Sequence, residues 1–356
     1  MRTGIAHLPL HYGKAPAWLF SRMRLLARQV TLAIVEEYGP REMLVRLSDP
    51  FWFQAFGCVL GFDWHSSGLT TTVCGALKEG IKGLERDLGL CVCGGKGRVS
   101  RKTPDEITHL GGMLGMDPAP LVYASRMSAK VDNTALQDGY QLYHHNLIFT
   151  REGEWTVIQQ GMNETNRYAR RYHWLGSTVA DFVCEPHSAV CCDSSGEVLN
   201  MVAEESDKAR DASAAISREH PERIIKEFTG IREQLTLPRE HPVHPSLIHP
   251  NRLKKVLLST YEQQPQDFAS LLGMPGVGPQ TIRSLSLLSE LLYGAKASFR
   301  DPVRFSFAHG GKDGHPYPVD RANYDRSIDF LKRVVDQARI GRTERLHALK
   351  RLSNLV

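Results

Sequence analysis

Leu272-Gly273-Met274-Pro275-Gly276-Val277-Gly278-Pro279-Gln280-Thr281 constrains this chain more than any other stretch. Two glycines bracket one apolar residue, and a proline stands where a new helix is expected to begin. Glycine permits positive φ and carries no Cβ to hold a phosphate away from main-chain amides. Pro279 suits the first helical position, which needs no N–H donor. An amphipathic segment, Phe268 to Leu272, precedes the turn, and Ile282, Leu285, Leu288 and Leu292 recur at helical spacing after it. Two helices joined by a tight hairpin are therefore expected. The amides that open the second helix, together with its dipole, would form a phosphate site. Gly276, Val277, Gly278, Gln280 and Thr281 are the candidate nucleic-acid contacts.

Composition permits this reading without demanding it. With 356 residues, 42% hydrophobic content and a net charge of +5, the chain is long enough for two or three domains and is only mildly basic. Its seven cysteines are odd in number, and several sit in apolar runs, as reduced cytosolic thiols do. Cys91-x-Cys93 and Cys191-Cys192 lack the paired CxxC spacing of a zinc site. No apolar run approaches the roughly 18 residues of a membrane span. Met1 to His7 lacks the apolar stretch of a signal peptide. A cytoplasmic location without a membrane partner is expected.

Along the chain, Trp18 to Glu37 has helical periodicity and ends at Tyr38-Gly39-Pro40. Cys58 to Asp63 reads as a buried strand, followed by a polar loop, a helix from Thr70 to about Leu88, and a second apolar run, Gly89 to Cys93. That βαβ-like succession predicts parallel strands. Thr103-Pro104 marks another helix start, with Thr103 as the capping candidate. From Gly139 to Gly161 the period falls to two, and Arg151 to Glu154 turns between two strands. A second hairpin is expected from Ala189–Cys192 to Val198–Met201. After Glu204 the strand signal ends. Charged helices lead to a connector carrying Pro238, Pro242, Pro245 and Pro250. The expected fold is an α/β domain over residues 1–204, with a mixed sheet, a βαβ-like start and hairpins. A connector over 205–250 joins it to an all-α hairpin domain over 251–356.

Several constellations offer chemistry. Asp63, His65, Ser66 and Ser67 lie where a parallel strand would end, and Gly94, Gly95 and Lys96 would reach the same edge as a second phosphate loop. The pattern GxxxxGK[ST] is not satisfied, and nothing points to an organic cofactor. Asp132, Asp138, His144 and Glu154 surround the 139–161 hairpin; carboxylates gathered on strands hold Mg²⁺ or Mn²⁺ for phosphodiester cleavage. Arg170 and Arg171, next to Tyr172 and Trp174, combine cations with aromatics as backbone-tracking segments do. Lys312, flanked by glycines and by His309 and His315, is a further phosphate candidate.

Two resemblances follow from these residues. Asp267 to Val335 is similar to the helix-hairpin-helix module of endonuclease III-type DNA glycosylases, in which an Asp follows the second helix. Asp301, in Asp301-Pro302-Val303, and Asp320, in Pro318-Val319-Asp320, both match that Asp. The Lys found after the hairpin in many of those enzymes is replaced by Gln280. The segments Leu47 to Phe56, Gly61 to Gly68 and Phe307 to Gly314 resemble the prokaryotic family called domain of unknown function 763 over nearly the whole chain. The leading functional expectation is a DNA-processing or repair enzyme (RNA is the other possible partner) that cuts phosphodiesters with a divalent metal. Base excision through Asp320 or Asp301 is the second, and a non-catalytic DNA-binding adaptor the third.

Overall fold

Glycine and proline punctuation sets the first helices. In the computed structural model, residues 15–62, 66–192, 194–234 and 250–303 are described, with 329, 331–333, 335–336 and 346–350. Helix α1 (Ala17–Tyr38) stops at Gly39, whose φ of 83° only glycine adopts readily and whose N–H bonds back to Val35 O. Pro40 opens α2 (Pro40–Ser48), and Pro50 opens α3 (Pro50–Val59) under a side-chain cap, Asp49 accepting from Trp52 N. Helix α4 spans Gly68–Ile81. The strand expected from Cys58 is absent: Cys58 and Val59 finish α3, every residue of which from Phe51 onward is buried. A segment apolar on all sides has no face to report, so its period does not separate a buried helix from a buried strand. Gly83, at φ 83°, breaks the helix expected to reach Leu88, and a short α5 (Glu85–Leu88) follows.

Strand β1 (Leu90–Lys96) leads through a 3-10 turn at 97–102 into α6 (Thr103–Leu114). Thr103 does not cap α6; its hydroxyl donates to Ser100 O. Helix α7 (Ala119–Lys130) continues into a π-helical turn, Val131–Ala135, and then β2 (Leu136–Gln137). The long hairpin is formed by β3 (Gln141–Thr150) and β4 (Trp155–Asn163), with a bulge that shifts the register between Leu142 and His144. Strands β5 (Tyr168–Leu175) and β6 (Ala189–Cys191) complete a five-stranded sheet in the order β1-β3-β4-β5-β6. Every pairing in it is antiparallel, because the expected parallel partner of β1 is helical. Strand β7 (Glu197–Asn200) does not fold back on β6. It joins a second antiparallel sheet, β2-β7-β8, with β8 at Ser298–Arg300.

The five-stranded sheet is covered on both faces. Val92, Ile148 and Ile158 face the layer of α1 to α4. Cys91, Cys93, Leu147, Phe149, Val157, Tyr172 and Trp174 face α7 and a cluster that continues into the later helices. Those helices are α8 (Asp207–Ser217), α9 (Pro221–Gln234), α10 (Pro250–Gln263), α11 (Phe268–Gly273) and α12 (Pro279–Tyr293). Leu271, Leu272, Ile282, Leu285 and Leu288 belong to the same hydrophobic cluster as the sheet, so the core is continuous past residue 204. No helix among the described residues is long and apolar enough to cross a membrane.

Candidate nucleic-acid interface

Helix α11 begins under a cap, Asp267 Oδ1 accepting from Ser270 N at 2.7 Å. It ends in a tight turn at 274–278, closed by Val277 N donating to Met274 O at 3.3 Å. Gly276 takes a φ of 85°, the conformation expected of it. Gly278 does not: its φ of −133° and ψ of −174° are extended backbone open to any residue. Val277 is buried and plugs the turn into the core, while Pro275, Gly276, Pro279 and Gln280 are exposed. The turn is therefore anchored from below and presents its outer edge to solvent.

Its carbonyls are taken up by side chains of the body beneath. Lys130 Nζ donates to Val277 O at 2.6 Å and to Met274 O at 3.4 Å. Gln137 Nε2 donates to Pro279 O at 2.8 Å, and its Oε1 accepts from Arg283 Nε at 2.9 Å. Lys130 makes no carboxylate contact among the described residues, and burial moves its pKa below the ordinary lysine value. A cation bonded only to carbonyls adds positive potential behind the turn. The positive, N-terminal end of the α12 dipole adds to that potential.

The expected acids lie elsewhere and do not converge. Asp132 is fully buried in the π turn, accepting from Gln159 Nε2 at 2.6 Å, from Trp174 Nε1 at 3.0 Å and from His187. Because Gln159 gives its amide N–H to Asp132, its Oε1 accepts from His145 Nδ1 at 2.8 Å. His145 Nε2 then accepts from Ser125 at 2.8 Å. The chain of donors runs in one direction, toward Asp132. Asp138 belongs to a separate buried cluster, accepting from Arg170 at 3.0 Å and from Tyr172 at 2.6 Å. Glu154 sits in the β3–β4 turn and pairs with Arg41 at 3.1 Å. Among the described residues, no three His, Cys, Asp or Glu side chains are placed to hold a metal ion.

Residues 4–319 match the model of one protein family, described as Protein of unknown function (DUF763). The chain belongs to the DUF763 family. No curated protein and no solved structure matches it. The family span takes in all three segments that carried the whole-chain resemblance.

Other expected contacts of this DUF763 chain are corrected by burial. Arg170 and Arg171 lie on β5 and are buried, so neither tracks a backbone at the surface. Burial opposes the Arg170 charge, but Asp138, Tyr172 and Asp301 outweigh it and hold the guanidinium above its ordinary pKa. Asp301 is committed to that cluster. Its two oxygens accept from Arg170 at 3.0 and 2.8 Å, and also from Gly196 N and Val303 N. Arg171 reaches Gln54 at 3.1 Å and Thr70 at 3.2 Å, and burial lowers it to about 10.

The proposed second phosphate loop is strand. Gly94 lies in β1 at φ 94°, and a Cβ there would stand 2.1 Å from His145 O, so strand packing accounts for that glycine. Lys96 pairs in register with His144, and Gly95 with His145. Ser66 and Ser67 are buried at the start of α4, where Gln160 Nε2 donates to Ser67 O at 2.8 Å. Gln160 also bonds Thr70 and Tyr143, and it pairs with His144, so the sheet brings these predicted groups into one polar layer. His144 is buried with neither ring nitrogen hydrogen-bonded among the described residues. Burial, then His145 and Lys96, push it down to about 3. Asp63, His65, Lys312 and Asp320 lie outside the described residues. Sequence reading missed Lys130, Gln137 and Arg283. Arg283 stands one turn after Pro279 and was open to detection, whereas Lys130 and Gln137 reach the turn from more than 140 positions away.

Proposed function

We propose that this protein binds the sugar–phosphate backbone of DNA through the 274–278 turn and the start of α12, in the manner of a helix-hairpin-helix. The observation that carries this reading is Gly278. Its backbone conformation does not require glycine, and a Cβ built there meets nothing within 4 Å. Neither strain nor packing calls for the missing side chain, so what it leaves is clear access to the amides. The carbonyl-bound Lys130 supports the same polarity, with positive potential directed at an anion. A contact of this kind positions a strand without reading its bases.

The test is Gly278→Val in the full chain. The fold tolerates the added side chain, which stands in front of the turn. Fluorescence anisotropy with a labelled duplex at low salt is expected to show binding whose logarithm falls linearly with the logarithm of salt concentration. The variant is expected to bind at least about tenfold more weakly, about 1.4 kcal/mol, at an unchanged melting temperature. Absence of wild-type binding at low salt, or equal binding by the variant, overturns the reading.

A further inference from the structure

A cleft of about 320 Å³ opens beside the turn, between residues 133–141 and the first turns of α12. Asn133, Gln137, Gly139, Tyr140, Pro279 and Arg283 line it. Gln137 ties its walls together through Pro279 O and Arg283 Nε. Nε is the Arg283 atom engaged by that bond, and it meets a neutral amide. Among the described residues, Arg283 makes no ion pair. Asp138 also borders the cleft, but its carboxylate is buried against Arg170 and Tyr172 and opposes no incoming anion.

Resting on the backbone-binding reading above, we propose that this cleft seats one unpaired nucleotide of the bound strand, with Arg283 holding the phosphate next to the one at the turn. A guanidinium pinned at Nε keeps its two Nη groups as a planar fork, which matches a phosphate bidentately. Arg283 lies five residues beyond Gly278, about 7.5 Å along a helix axis, which is of the order of the spacing between consecutive phosphates of one strand. The volume is at the bottom of the range for small-molecule pockets, roughly 300–1,000 Å³, sized for one nucleoside rather than a base pair. Asn133 is exposed, and its side-chain amide offers both a donor and an acceptor. An unpaired base displays both kinds of group on its free edge.

The experiment compares three labelled DNAs by anisotropy: a single strand, a blunt duplex, and that duplex with one unpaired bulge nucleotide. Wild type is expected to prefer the single strand and the bulge over the blunt duplex by about tenfold or more. Arg283→Ala should reduce the salt slope by about one and abolish most of that preference. Asn133→Ala, at an exposed position that leaves folding intact, should narrow the preference without changing the slope. Equal wild-type affinity for all three DNAs overturns the cleft assignment while leaving the turn in place. So does an unchanged preference in both variants. Failure to bind any of the three at low salt removes the backbone reading itself.

Discussion

Asp301→Ala separates a structural carboxylate from a reacting one. The side chain is one corner of a buried cluster in which Arg170 faces Asp138 and Asp301, with side-chain exposures of 2%, 1% and 5%. Truncation removes two charge-assisted bonds to Arg170 and acceptors for Gly196 N and Val303 N. Charge-assisted bonds contribute about 1.5–3 kcal/mol each, and breaking a buried pair from one side costs about 3–5 kcal/mol. Asp138 stays behind as a counter-ion and Gly196 N is exposed enough to hydrate, so the lower end applies, about 3 kcal/mol. Urea denaturation followed by circular dichroism should show that loss at an unchanged m value. Arg170→Met should cost more at neutral pH, because it strands two carboxylates. It should recover part of the loss on acidification, burial having already raised the Asp138 pKa. A loss under about 1 kcal/mol for Asp301→Ala would refute the structural role and return Asp301 to the list of possible reacting groups.

Acid sensitivity follows from the buried imidazoles. His144, His145 and His173 all have folded pKa values below the ordinary value, with burial the largest cause in each. The unfolded chain takes up protons below about pH 6.5 while the folded chain does not. Stability is therefore complete above that pH and is lost as pH falls, by up to about 1.4 kcal/mol per unit for each histidine. For His144 the loss continues to about pH 3. His144→Leu should flatten the profile by one proton, and equal stability at pH 7 and pH 5 in the wild type would contradict this account. Lys130→Met should weaken duplex binding and cost about 1–2 kcal/mol of stability, a charge-assisted bond less the relief of desolvation. Unchanged affinity with unchanged melting would show that the carbonyl contacts are incidental.

Much of the local structure was legible because it is punctuated. Gly39-Pro40 and Gly276 each set a boundary through a backbone preference that needs no distant partner. The β3–β4 hairpin was legible for the same reason, its turn residues standing between two strand-like runs. Long-range pairing was not. The alternation in Ala189–Cys191 and Val198–Met201 marks strands but not the sheet that receives them, and these two went to different sheets. Arg170 and Arg171 look like surface cations because the groups that hold Arg170 inside, Asp138 and Asp301, are 32 and 131 positions away. A sheet covered on both faces also loses the polar alternation by which an exposed strand is recognised. The turn at 274–278 was found from its own residues, while the lysine and glutamine under it were invisible to any local pattern.

The brevity of the path from Lys130 to Asp132 has a mechanical meaning. Lys130 grips the turn from the last position of α7, and two residues later Asp132, in the π turn, is held against the sheet by Gln159 and Trp174 and by His187. A pull on the turn by a tethered strand would reach the five-stranded sheet within three residues, with no loop between. Such a mount resists displacement rather than absorbing it. A strand held there would keep its position relative to the sheet while the rest of it moved.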